Sequence, residues 1–80
     1  MEILQTDWQA GFMRILTKTK TYDIHWETVR YHDRYIRIYN KKRDYHLYAN
    51  PLMKIDINDS DTIDQEYVIN VFKRYLIENL

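Results

Sequence analysis

Three histidines, His25, His32 and His46, stand among arginine, tyrosine and acidic side chains. His46, Arg37, Glu27 and a tyrosine together supply an acid, a base and a phosphate clamp, the parts of a metal-free ribonuclease. Small toxins do such chemistry with basic strands. The list fixes no geometry, and any sheet rich in Tyr, Arg and His supplies it, so no catalytic residue is assigned and the chain reads as a non-enzyme. The histidine spacing matches no zinc pattern and there is no cysteine, so scattered surface histidines account for all three. The run Asp56-Ile57-Asn58-Asp59-Ser60-Asp61 opens like a calcium loop. It has no glycine at the sixth place, and its twelfth place is Tyr67 instead of glutamate. A loop that caps the following helix explains it better. No glycine-rich phosphate loop, no serine in a nucleophile setting and no internal repeat is present. Neither a metal nor a cofactor is expected.

The remaining chemistry is that of contact. The stretch 30–48, RYHDRYIRIYNKKRDYHLY, is dense in tyrosine and positive charge. Ile36 and Ile38 alternate with Tyr35, Arg37 and Tyr39, so a strand puts the isoleucines on one face and the tyrosines with the arginine on the other. His46 and Tyr48 alternate with Tyr45, Leu47 and Ala49 in the same way. A polar break, Asn40-Lys41-Lys42-Arg43-Asp44, lies between the two runs and reads as a hairpin loop. An even loop opposes Ile36 and Ile38 to the apolar members of the second run, which segregates the two faces. The core face is then Ile36, Ile38, Tyr45 and Leu47. The opposite face carries Tyr35, Arg37, Tyr39, His46 and Tyr48, with Arg30, Lys41, Lys42 and Arg43 around it.

Two readings fit that face. Tyrosine is a good strand residue with a wet hydroxyl end, and arginine keeps an exposed sheet soluble. Alternatively the face is a contact surface, since Tyr and Arg dominate protein interfaces. Aromatic side chains beside cations also suit stacked, single-stranded nucleic acid. A second copy of the chain is a further candidate occupant.

The elements that must position these residues are expected to be strands over 12–19, 24–31, 34–40, 44–49 and 52–57, then a helix over 62–78. Residues 8–21 are ambiguous. Leu4, Trp8, Phe12, Ile15 and Leu16 recur at near-helical spacing, but Gly11 disfavours a helix and the threonine-rich tail alternates as a strand does. If His32-Asp33 is a tight turn, Trp26 and Arg30 join the tyrosine face; a shift of one residue buries Trp26 instead. Asn50-Pro51 breaks the chain. In 52–57, Met53, Ile55 and Ile57 share one side, and Lys54 and Asp56 the other. The helix carries an apolar stripe of Tyr67, Val68, Val71, Phe72, Tyr75 and Leu76, with Asp61 or Thr62 as its cap. The fold class is α+β, an antiparallel sheet of four to five strands with the C-terminal helix packed across one face.

Eighty residues make one small domain with a thin stability margin. The absence of cysteine fits a reducing cytoplasm. No apolar run is long enough to cross a membrane, and the N-terminal residues MEILQTDWQA do not read as a secretory signal. The formal net charge is zero, which weakens a general duplex-binding role that depends on phosphate neutralisation. The charge is uneven, with the cations concentrated in the central stretch and the acids in the last third. The small size and the Ile, Asn, Lys and Tyr usage are similar in style to accessory proteins of phages and other mobile elements, although no motif carries that likeness. The expectation is a non-enzymatic protein-binding module that blocks a host protein. A single-stranded nucleic-acid binder is the alternative.

Overall fold

A computed structural model describes residues 2–26, 35–40, 51–57 and 62–79. The elements are β1 (Ile3–Gln9), β2 (Phe12–Thr17), β3 (Thr21–Trp26), β4 (Tyr35–Asn40), β5 (Met53–Asp56) and α1 (Gln65–Glu78). The five strands form one antiparallel sheet in the order β1-β2-β3-β4-β5, and α1 packs on one face. The expected α+β architecture is therefore the one observed.

The first hairpin resolves the ambiguous segment. Gln9 pairs with Phe12 across Ala10-Gly11, and Gly11 has φ 79°. Positive φ at the second central position is what a type II turn demands, and glycine adopts it without a steric cost. The near-helical spacing of Leu4, Trp8, Phe12 and Ile15 thus belongs to two strands that meet at a glycine turn. The next turn is closed by Thr17, whose backbone N–H and hydroxyl both donate to the Lys20 carbonyl at 2.9 Å, while Lys20 N–H donates back to the Thr17 hydroxyl at 3.2 Å.

Register sorts the side chains into two faces. Trp8, Met13, Ile24, Ile38 and Met53 form one cross-strand row, and Trp26, Ile36 and Ile55 the next. These rows face the helix. Val68, Phe72 and Tyr75 of α1 are buried against them, and Tyr22 meets Phe72 and Tyr75 edge-on at 5.0 and 5.9 Å. Such aromatic pairs add about 0.5–1.5 kcal/mol each to the area they bury. Burial and then the neighbouring Tyr75 raise the Tyr22 hydroxyl above its ordinary pKa.

The structure settles one open point and corrects three expectations. Trp26 lies opposite Ile36 and is 6% exposed, so it belongs to the core and not to the tyrosine face. It stacks on Trp8 at 5.1 Å. The partners of Ile36 and Ile38 beyond β3 are Ile55 and Met53, so the place beside β4 expected for 44–49 is taken by β5. That segment, with Tyr45 and Leu47, lies outside the described residues. The second strand, expected at 24–31, starts earlier, at Thr21, and is described as far as Trp26; residues 27–31 lie outside the described residues. Finally, the cap is Asp64, whose carboxylate accepts from Tyr67 N–H at 2.8 Å. The helix begins three residues later than expected because Asp64, and not Thr62, takes the cap position and answers an orphan N–H of the first turn; Asp61 lies outside the described residues.

Candidate functional site

The site is the sheet face turned away from α1. Two cross-strand rows build it. The first, Gln9, Phe12, His25, Arg37 and Lys54, crosses all five strands, and the second runs Asp7, Arg14, Asp23 and Tyr39. Tyr35 precedes Arg37 by two along β4 and pairs with Asp56 of β5. Strict alternation in β2 to β5 places these residues on the same side, with isoleucine and methionine beneath them.

The face interleaves rings and cations. Arg14 sits over the Phe12 ring at 5.6 Å. Arg37 and Lys54 both lie against the ring of Tyr35, at 5.5 and 3.9 Å. His25 packs between Phe12 at 4.9 Å and Tyr39 at 5.7 Å. A cation over a ring face is attracted by the ring quadrupole, by about 0.5–1 kcal/mol where water has access. The long Arg and Lys stems are thereby held down on the sheet.

Beneath the second row lies a buried charge. Asp23 is fully buried. Its two carboxylate oxygens accept from Arg14, Nε to Oδ1 at 2.8 Å and Nη2 to Oδ2 at 3.3 Å. This fork is the geometry that suits guanidinium and carboxylate best. The imidazole of His25, half-buried beside this pair, is pushed below its ordinary pKa by burial. Asp23 opposes that shift, and Arg37 and Arg14 reinforce it. His25 is therefore neutral at neutral pH. A shallow hollow of about 200 Å³ adjoins Arg14, lined by Gln5, Asp7, Arg14, Leu16 and Thr21.

Of the residues expected to contact a partner, Tyr35, Arg37 and Tyr39 lie on this face. Tyr35 and Arg37 are half-buried, but Tyr39 is only 4% exposed. The expectation that Tyr39 stands open to solvent is corrected: it walls His25. Arg30, Lys41, Lys42, Arg43, His46 and Tyr48 lie outside the described residues, as do His32 and, from the ribonuclease constellation, Glu27. Phe12, Arg14, Asp23, His25 and Lys54 were not singled out in the sequence as site residues. The mirror-like run from Phe12 to His25 about the Thr17–Thr21 turn held the signal, because it sets Arg14 opposite Asp23 and Phe12 opposite His25. Among the described residues no three His or acidic side chains converge as a metal site, and no helix is long and apolar enough to cross a membrane.

No family model, curated protein or solved structure matches the chain. The functional reading therefore rests on the site itself.

Proposed function

We propose that the protein is a non-enzymatic binding module whose open sheet face docks a protein partner. One observation carries the reading: the unbroken row Phe12, His25, Arg37 and Lys54 with Tyr35 beside it, in which each exposed or half-exposed cation is paired with a ring. Rigid aromatic and arginine contacts of this kind supply most of the binding energy in protein interfaces. The charge on the face is mixed. Asp7 and Asp56 are exposed on the same side as Arg14, Arg37 and Lys54. A strand of phosphates would meet both carboxylates, whereas a protein surface can match both signs. The hollow beside Arg14 has the size of one side chain, not of a metabolite. Small size and a composition similar in style to phage accessory proteins direct the reading further, to a host protein that the module binds and blocks.

Single-stranded nucleic acid is the second reading, supported by the same rings beside cations. Titration of the purified protein with labelled single-stranded DNA and RNA at two salt concentrations, with its solution mass recorded, separates the two. The protein-binding reading predicts no affinity for either strand, and capture of a protein by the parent that is lost with Tyr35→Ala. Oligonucleotide binding in the micromolar range that collapses as salt rises would overturn it.

A further inference from the structure

The face has one recess of side-chain size, and its lining selects what can fill it. We propose that the hollow beside Arg14 receives one lysine or arginine side chain of the protein partner, an inference that rests on the protein-binding reading above.

Gln5, Asp7, Arg14, Leu16 and Thr21 line the hollow, whose volume is about 200 Å³. Gln5 and Asp7 belong to β1, the outer strand of the sheet, so an extended segment reaches the hollow over that edge. A bulge borders it. The register steps between the pairs Ile3–Thr17 and Gln5–Leu16, which leaves Leu4 as an extra residue. A bulge bends its strand and re-aims the side chains beside it, and Gln5 is the next residue along.

The lining offers acceptors and one apolar wall. Gln5 Nε2 donates to Asp7 Oδ1 at 3.4 Å, a long bond between exposed groups. Among the described residues the Asp7 carboxylate forms no ion pair, and neither the Gln5 side-chain carbonyl nor the Thr21 hydroxyl forms a hydrogen bond. Arg14 is the cation of the lining, and its guanidinium is engaged by both oxygens of Asp23. Arg14 and Asp23 together are neutral, so Asp7 leaves the hollow negative. Leu16, 38% exposed, supplies the apolar wall.

An aliphatic stem that ends in a cation matches this lining. The stem lies along Leu16 and the charged head meets Asp7. A lysine ammonium carries three donors and no acceptor, which suits a carboxylate, an amide carbonyl and a hydroxyl. An acidic side chain would bring a like charge to Asp7. A purely apolar one would take water from the carboxylate without returning a hydrogen bond.

The test is a solution NMR titration of the intact protein with four pentapeptides, blocked at both ends and neutral apart from the central residue. That residue is lysine, diaminopropionate, norleucine or glutamate. The lysine peptide should move the Gln5, Asp7, Leu16 and Thr21 amide resonances and leave Asn70, exposed on α1, in place. Diaminopropionate carries its ammonium on a single methylene and cannot lie along Leu16, so it should bind about threefold more weakly or worse. Asp7→Asn, which keeps the shape and removes the charge, should weaken the lysine peptide by about threefold or more. The melting temperature of that variant should stay within about 4 °C of the parent, because Asp7 is exposed. Equal binding of the norleucine or glutamate peptide overturns the inference, as does unchanged binding by Asp7→Asn. Equal binding of the diaminopropionate peptide also overturns it, because attraction would then need no hollow. So does a larger fall in melting temperature, which would give Asp7 a role in the fold instead. If the lysine peptide moves nothing at the hollow while Tyr35→Ala still abolishes protein capture, this inference is wrong and the protein-binding face stands. If the parent captures no protein, the protein-binding reading falls and this inference falls with it.

Discussion

Arg14→Met should be among the most damaging changes on the open face, although Arg14 is itself partly exposed. The substitution keeps the apolar stem and removes the guanidinium. Asp23 then keeps a carboxylate whose side chain is 1% exposed and whose hydrogen bonds among the described residues came from Arg14. Removing one partner of a buried pair costs about 3–5 kcal/mol. Because 37% of the Arg14 side chain already meets water, the lower end applies, about 3 kcal/mol. At about 0.05–0.15 kcal/mol per residue the whole domain is worth only about 4–12 kcal/mol. The loss should lower the melting temperature by roughly 12–24 °C. Thermal and urea melts of Arg14→Met, Asp23→Leu and the double variant complete the cycle. The double variant should recover to within about 1 kcal/mol of the parent, since neither buried charge remains. A melting temperature for Arg14→Met within about 4 °C of the parent would refute the reasoning, because Asp23 would then be served without its fork.

Phe72→Ala should cost about 3–5 kcal/mol, because Phe72 is fully buried and edge-on to Tyr22; a urea melt with an unchanged midpoint would count against the helix packing. The Asn40 side-chain oxygen is buried with no hydrogen bond, so Asn40→Leu should leave the melting temperature unchanged or raise it. Acidification should destabilise the protein through His25. Its folded pKa lies below the ordinary value because of burial, so the unfolded chain takes up the proton first. Stability should begin to fall as pH drops through about 6.5 and the His25 contribution should be complete below its folded pKa. His25→Gln should flatten that part of the stability profile.

The strand faces and the helix stripe were legible because periodicity is a direct image of burial. Ile36 and Ile38 are both fully buried, and Val68, Phe72 and Tyr75 are the buried positions of α1, as their spacing implied. Met53, Ile55 and Ile57 likewise separate from Lys54 and Asp56. Register was not legible, since it depends on loop lengths that alternation does not contain. Trp26 pairs with Ile36 on the core side, a choice that alternation alone had left open, and β5 took the place beside β4 that parity had assigned to 44–49. β1 was hidden because residues at the ends of two short strands can mimic helical spacing, and only Gly11 marks the turn between them. Tyr39 was placed on the correct face, but its burial follows from its neighbours and not from its own strand. Asp23 carried a quieter signal, an acid between Tyr22 and Ile24 in an apolar run, which calls for a cation across the sheet.

The central claim is that the open sheet face binds protein. Its most direct test replaces Tyr35 with a photo-crosslinking phenylalanine analogue, with the same analogue at the exposed helix position Asn70 as control. Both proteins are irradiated in lysate of the source cells. The account predicts a discrete adduct with a protein at position 35 and none at position 70. Adducts only with nucleic acid at position 35, or protein adducts confined to position 70, would contradict it.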